Sequence, residues 1–291
     1  MKREASAPIK VKLFLIVGVI SFAFGAILIR YSSAPALVIA FYRLLFATLI
    51  MALIGLTKSR SWIRLEWKDY LLITLNGLAL AVHFALWITS LKSTTVAASV
   101  ILVDTSPFFA LIFAYVFLKE GVSRQFLLGL ALCFLGTFLI LGSDLGVELN
   151  LVGDLLALGG AVLAGLYFFI GRSIRQRVDF IPYVLNVYGV SSLFLLLFIL
   201  ASNTPLFTYT ETDYLIFMLL ALGPSCLGHN SYNYSLKYMK ASTVSATVYG
   251  EALGSTLLAV ILFNETPSVL VIFGALFVMI GFYFSVIRQP S

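Results

Sequence analysis

Residues 90–120 read SLKSTTVAASVILVDTSPFFALIFAYVFLKE, and residues 235–265 read SLKYMKASTVSATVYGEALGSTLLAVILFNE. Both stretches open on Ser-Leu-Lys, end on a glutamate and are mostly apolar in between. Each also carries a carboxylate near its middle, Asp104 in the first and Glu251 in the second. Runs this apolar belong in a lipid bilayer, where a carboxylate is costly. The same costly feature therefore occurs twice in one chain.

A shift of 145 residues aligns the two stretches without a gap. Further along, the same shift superimposes two pairs of glycines: Gly129 on Gly274, and Gly136 on Gly281. Close packing between helices accounts for glycines at such positions. Most other positions differ, but the register holds across two apolar stretches and their link. We therefore predict an internal repeat with halves at residues 1–146 and 147–291.

The composition excludes a water-soluble fold. Of the 291 residues, 61% are hydrophobic and only 11% are charged, with a mean hydropathy of +1.04. Soluble domains are about half apolar and about a quarter charged. The apolar runs are continuous, which favours helices over the alternating strands of a membrane barrel. We predict an all-α integral membrane protein with ten spans near residues 12–31, 35–56, 69–91, 94–118, 125–141, 152–171, 180–201, 212–236, 242–263 and 268–287.

The basic residues orient these spans. With the N-terminus inside, all but three of the 19 Lys and Arg residues fall on inside links. Arg30 and Lys92 lie outside, and Arg43 lies within the second span. This positive-inside pattern predicts a prokaryotic cytoplasmic membrane protein with both termini in the cytoplasm. The net charge of +6 therefore arises from the basic residues of the inside links, and we expect no nucleic-acid partner.

Five spans per half is an odd number, so the second half enters the membrane from the opposite side. The halves are then inverted repeats. This arrangement is common in secondary transporters, whose substrate site lies near the midplane between the repeats.

Three ionisable residues lie at membrane depth. Asp104 is about ten residues, or about 15 Å, into the fourth span. Glu251 lies equally deep in the ninth span, and Arg43 lies in the second. An isolated charge there costs at least about 2.5 kcal/mol, so such groups face the bundle interior. One carboxylate would pair with Arg43, and the other would favour its protonated form and couple transport to protons. A purely structural hydrogen-bond network is the alternative.

Helical periodicity groups further polar residues into stripes. One lies on the third span, one on the eighth and one on the ninth. The candidate substrate-binding residues on them are Asn76, His83 and Trp87, then His229, Tyr232 and Asn233, and finally Thr247 and Glu251, with Asp104 beside them. The 145-residue shift places Trp87 on Tyr232. Gly223-Pro224 is expected to break the eighth helix.

We expect no metal or cofactor. Neither histidine belongs to a metal-binding spacing, and the two cysteines, Cys133 and Cys226, form no motif. The oligomeric state is left open.

The repeat, Pro107 in the fourth span, Glu120 closing that span and Glu265 closing the ninth together resemble the drug/metabolite transporter superfamily, EamA type. The resemblance implies ten helices in two inverted repeats and a cavity walled by spans one, three, four, six, eight and nine. Spans five and ten would be peripheral. The family often has Glu-Pro where this chain has Glu251-Ala252, so the ninth helix should be straighter here. Members move amino acids, other metabolites, nucleosides or drugs, often outward.

The leading hypothesis is a secondary transporter that exports an amino acid or a similar amphipathic solute by alternating access. A proton-coupled antiporter and a passive uniporter both remain open. An intramembrane lipid-modifying enzyme would need a nucleophile and a base together near the surface, whereas Glu120 and Glu265 lie on opposite sides. We therefore expect no enzyme. A receptor or scaffold would leave the matched polar stripes unexplained.

Overall fold

A computed structural model describes residues 8–57, 66–118, 124–143, 148–239, 241, 244 and 246–284. Every regular element within these ranges is helical. The α-helices are α1 (Ile9–Tyr31), α2 (Ala36–Thr57), α3 (Trp67–Leu91), α4 (Val96–Val103), α5 (Ser106–Leu118), α6 (Arg124–Ser143), α7 (Glu148–Arg175), α8 (Phe180–Ala201), α9 (Glu211–Leu220), α10 (Asn230–Ser235), α11 (Tyr249–Phe263) and α12 (Val269–Phe282). A π-helical segment, Ala221–His229, joins α9 to α10, and a 3₁₀ turn, Ala246–Val248, precedes α11.

These elements correspond to the ten predicted spans. The fourth span is α4 with α5, the eighth is α9 through α10, and the ninth is α11 with its preceding 3₁₀ turn. Within the described ranges, six helical spans are long and apolar enough to cross a membrane, and three further apolar helices are shorter. The all-α membrane fold is confirmed. Glu120, predicted to close the fourth span, lies outside the described residues.

The packing of the spans follows a two-fold pattern. The first span packs on the ninth and the eighth, and the sixth packs on the fourth and the third. The second packs on the seventh, the fourth on the ninth, and the fifth on the tenth. Exchanging each span with the one five places along the chain maps these contacts onto one another. The two halves are therefore related by a pseudo-two-fold axis, as inverted repeats require.

The fifth and tenth spans pack mainly on each other, at the periphery. A Cβ atom added at Gly136 would lie 2.5 Å from the Gly274 carbonyl oxygen. A Cβ added at Gly281 would lie equally close to the Gly129 carbonyl oxygen. The repeat exchanges these two contacts, because Gly129 corresponds to Gly274 and Gly136 to Gly281. The glycines that mark the repeat in the sequence thus form its helix–helix contact.

The fourth span is interrupted, whereas the sequence predicts a continuous helix. Residues 104 and 105 form a turn between α4 and α5. Pro107 has no N–H to donate to the carbonyl of Val103, so the helical ladder cannot continue. The Thr105 hydroxyl compensates by donating to the Leu102 carbonyl at 2.7 Å. Asp104 consequently lies at the end of α4 and not within a helix.

The eighth span is continuous, whereas the sequence predicts a break. Gly223-Pro224 was expected to break the helix, but the chain continues through it as the π-helical segment Ala221–His229. A π turn bonds each N–H one residue further back, which accommodates the proline without interrupting the span. Such insertions are frequent at functional sites. This segment presents Ser225 and His229 to the interior.

Candidate functional site

A cavity lies at the centre of the bundle. The first, third, fourth, sixth, eighth and ninth spans all contribute to its wall, which are the six spans that the resemblance implies. Six of the nine predicted binding residues line it. They are His83, Trp87, Asp104, His229, Tyr232 and Glu251.

The wall itself obeys the repeat. Four pairs of positions related by the 145-residue shift both face the cavity: Phe22 with Tyr167, Trp87 with Tyr232, Val103 with Val248, and Ser106 with Glu251. The cavity therefore lies on the pseudo-two-fold axis, where the halves meet. This is the place that inverted-repeat transporters use for substrate.

The two buried carboxylates lie together where the fourth span meets the ninth. Asp104 is 3% exposed and Glu251 is 5% exposed. The backbone N–H of Ala252, the residue after Glu251, donates to the Asp104 carboxylate, and the two acids interact electrostatically. Among the described residues, one oxygen of each, Oδ2 of Asp104 and Oε1 of Glu251, has no hydrogen-bond partner.

Arg43 is fully buried but does not line the cavity. Its Nε donates to the Ser225 hydroxyl at 2.8 Å, and its Cζ lies 4.2 Å from the centre of the Phe84 ring. Phe84 in turn packs against His83 and His229 on the cavity wall. Among the ion pairs of the described residues, none joins Arg43 to Asp104 or Glu251. The structure shows no direct ion-pair contact between these described residues, although Arg43 lies close enough to Glu251 to interact with it electrostatically.

The histidines differ in their bonding. His83 Nδ1 lies 2.9 Å from the Gly160 carbonyl oxygen, which can only accept, so this nitrogen carries a hydrogen. The His83 ring stacks on Trp87 at 12°. His229 packs edge-on against Phe22, and its Nδ1 has no partner among the described residues. Trp87 Nε1 is likewise unpartnered there. Both nitrogens are free to bond a bound molecule.

Three predicted binding residues are not on the wall. Asn76 donates to the Tyr183 hydroxyl at 2.8 Å. Asn233 accepts from the Tyr167 hydroxyl at 2.7 Å. The Thr247 hydroxyl donates to the Val244 carbonyl at 2.8 Å. The asparagines thus make hydrogen bonds between helices, which is the structural alternative for polar groups at depth.

Sequence reasoning missed the aromatic wall of the first and sixth spans. Phe22, Tyr167 and Phe168 line the cavity, but the spans around them carry no periodic stripe of polar residues. The repeat carried the missing signal, because the 145-residue shift places Phe22 directly on Tyr167.

Polar contacts link several spans at the end where the first span terminates, and we call this set of contacts an end tie. Arg30 forms an ion pair with Glu265, whose other carboxylate oxygen accepts from the Val96 N–H at 2.9 Å. Asp213 accepts from the Ser32 hydroxyl at 2.6 Å. These bonds join the first, fourth, eighth and ninth spans, so they close this end of the cavity.

A second tie lies at the opposite end, where the sixth span terminates. Arg177 pairs with Asp69 at 2.5 Å. Arg175, which the repeat relates to Arg30, is 1% exposed and donates to the Asn233 carbonyl at 3.0 Å. Arg43 is therefore not the sole buried cation, as the sequence had suggested. Asp69 and Asp213 each complete a capping box at the start of their helices, so the two ties are built alike.

An inverted-repeat bundle around a central, tied cavity defines an integral membrane transporter. The chain belongs to the EamA-like transporter family, whose model matches residues 9–142 and 151–287, one match in each half. The resemblance read from the sequence is confirmed. Membership implies a small-molecule substrate and places the chain among transporters, not enzymes.

Similar proteins agree with this assignment. An uncharacterized transporter of Archaeoglobus fulgidus is 25% identical over 261 residues, covering 86% of this chain and 88% of the relative. Another, from Clostridium kluyveri, is 25% identical over 241 residues, covering 79% and 75%. A solved structure, described only as the crystal structure of a protein, matches with a TM-score of 0.72 and 16% identity, covering 97% of this chain and 99% of that one. That structure supports the fold alone.

Proposed function

We propose that this chain is a secondary transporter that exports a small amphipathic metabolite, an amino acid or a similar solute, by alternating access. The observation that carries the proposal is the central cavity on the pseudo-two-fold axis. Inverted halves, with boundaries at residues 1–146 and 147–291, can rock about such a site and expose it to each side in turn. The chain would lie in a prokaryotic cytoplasmic membrane with both termini in the cytoplasm.

The ties at the two ends support alternating access. Each end is held by a few polar contacts between spans of different halves or between neighbouring spans. Breaking one set while keeping the other would open the cavity to one side only. The tie of Arg30 with Glu265 would then act on the outer side, and the tie of Arg177 with Asp69 on the inner side.

Proton coupling follows from the two adjacent carboxylates. Asp104 and Glu251 are both buried where the fourth span meets the ninth, and among the described residues neither forms an ion pair with a cation. Two such acids are expected to hold a proton between them, because both cannot be charged at low cost. Loss of that proton when substrate binds, and its recovery on the other side, would couple the two movements.

Counterflow in proteoliposomes tests the proposal. Vesicles are loaded with a mixed pool of amino acids, nucleosides and amines, with or without a pH gradient, and the solutes that cross are identified by mass spectrometry. We expect one solute class to cross, and faster with the gradient. Transport that ignores the gradient would favour a passive uniporter of the same fold.

A pair of variants isolates the proton role. Glu251→Gln should abolish acceleration by the pH gradient, while exchange without a gradient continues at a reduced rate. Glu211→Gln removes an exposed carboxylate at the start of α9 and should change neither property. Concentration of substrate against its gradient by Glu251→Gln protein would show that the proton role is wrong.

A further inference from the structure

The charges around the cavity do not balance. The fourth span contributes Asp104, the ninth contributes Glu251, and the second contributes Arg43. Asp154 is buried too, but it lies ten residues along α7 from the wall residue Ala164, or about 15 Å away. Arg175 is a buried cation on the same helix, seven residues or about 10 Å from the wall residue Phe168, and its Nε donates to the Asn233 carbonyl. These two more distant groups carry opposite charges. With both wall carboxylates ionised, the centre therefore carries one negative charge more than Arg43 can compensate.

Arg43, the cation that interacts electrostatically with Glu251, does not line the cavity. The Arg43 Cζ lies 4.2 Å from the centre of the Phe84 ring and its Nε donates to Ser225, while Nη1 and Nη2 have no partner among the described residues. A carboxylate brought in by a ligand would find neutral donors, such as Trp87 Nε1, but no exposed positive charge. It would also meet the field of Asp104 and Glu251. The wall is thus poorly suited to a negatively charged group.

The same wall suits a cation. Five aromatic rings face the cavity: those of Phe22, Trp87, Tyr167, Phe168 and Tyr232. Three of them form one continuous surface, with ring centres 4.9 Å apart for Phe22 and Tyr232 and 5.9 Å for Phe168 and Tyr232. Aromatic faces attract ammonium groups, most strongly when both are desolvated. The free oxygens of Asp104 and Glu251 supply the acceptors that an ammonium group needs.

We propose that the substrate is a monovalent organic cation, a primary amine on an aromatic or apolar body, and not a zwitterion. The ammonium group lies between Asp104 and Glu251, and the body packs on the aromatic rings. One positive charge balances the centre, whereas a zwitterion adds no net charge and leaves the imbalance in place. This inference rests on the proposed transport function. Among the amphipathic solutes of that proposal it selects an amine and excludes the amino acid.

Three probes with the same 4-hydroxyphenyl group test whether the site selects a cation. They are tyramine, tyrosine and 3-(4-hydroxyphenyl)propionate. They carry a cation, a zwitterion and an anion. Binding is measured as thermal stabilisation of the detergent-solubilised full chain, and transport as counterflow in proteoliposomes. We expect tyramine to bind and to cross about tenfold faster than tyrosine, a difference of about 1.4 kcal/mol, and the acid to do neither.

The outcomes separate the inference from the transport proposal. Tyrosine or the acid matching tyramine overturns the substrate class and leaves the transporter intact. So does passage of another solute from the mixed pool when none of the three crosses. Tyramine that stabilises the protein while no solute crosses supports the cation site and overturns transport. If nothing binds and nothing crosses, both fail.

A variant at the proposed site and a control variant at an exposed carboxylate test where the ammonium group binds. Asp104→Asn should raise the dissociation constant for tyramine about tenfold, because the ammonium group loses a charged partner. The dissociation constant is obtained from thermal stabilisation at increasing tyramine concentration. Asp179→Asn makes the same change at a carboxylate that is 48% exposed and 3.6 Å from Lys237, and it should leave tyramine binding unchanged. Equal binding by wild type, Asp104→Asn and Glu251→Gln would overturn the site.

Discussion

The contact between the fifth and tenth spans and the contact between the fourth and ninth spans both lie on the pseudo-two-fold axis, yet they differ. In the first, glycine meets glycine twice, and the repeat exchanges the two contacts. In the second, Asp104 corresponds to Tyr249 and Glu251 corresponds to Ser106. The halves therefore share their packing but not their charges.

This difference separates what the fold needs from what the site needs. Backbone contact at the periphery must be equivalent in both halves if they are to rock between equivalent states. The cavity need not be symmetric, because one substrate cannot present the same face to both halves. We expect variants of symmetric packing to have equal effects and variants of the charged pair to have unequal ones.

The glycine contact gives the largest expected effect. Gly136→Ala and Gly281→Ala each place a methyl group 2.5 Å from a backbone carbonyl oxygen, which cannot rotate away. Overpacking of this kind costs about 1–3 kcal/mol. Both variants should lower the thermal unfolding temperature in detergent, and by similar amounts.

Gly142 offers the control for this comparison. A Cβ at Gly142 would have no neighbour within 4 Å, so Gly142→Ala should not destabilise the protein. If Gly136→Ala destabilises and Gly281→Ala does not, the packing of the two halves is not equivalent.

Moving one charge across the axis gives the next largest effect. The double variant Ser106→Glu with Glu251→Ser keeps two carboxylates in the cavity but places both on the fourth span. We expect counterflow to fall about tenfold, a change of about 1.4 kcal/mol, because the amine then loses its acceptor on the ninth span. Counterflow at the wild-type rate would mean that the position of the second carboxylate is unimportant.

The sequence predicted those features of the fold and the site that follow from the repeat or from helical periodicity. The register of 145 residues predicted the inverted halves and the glycine contact. The polar stripes predicted five residues of the cavity wall, and the depth of Asp104 in its span predicted a sixth. Phe22 and Tyr167 were missed because aromatic residues in an apolar span carry no periodic polar signal. The partner of Arg43 was missed because it depends on where Phe84 packs, which is a property of the assembled bundle. The turn at Asp104 was missed because a Pro three residues later fits a continuous span as readily as a broken one.

The ion pairs of the two end ties give the smallest expected effects on stability, and they test whether the two ties are equally strong. Arg177 is half exposed, and exposed ion pairs contribute about 0–1 kcal/mol. Arg177→Gln should therefore change the free energy of unfolding by less than about 1 kcal/mol.

Glu265→Gln should cost more than Arg177→Gln. Glu265 is only 18% exposed and accepts both from Arg30 and from the Val96 N–H, so the variant weakens two bonds that join different halves. Chemical denaturation of the two variants measures the difference. Equal changes in the free energy of unfolding would mean that the two end ties are equally strong and that neither end is held more firmly than the other. A larger cost for Glu265→Gln would mean that the end at Arg30 is the more firmly closed in this conformation, so that the end at Arg177 is the one prepared to open.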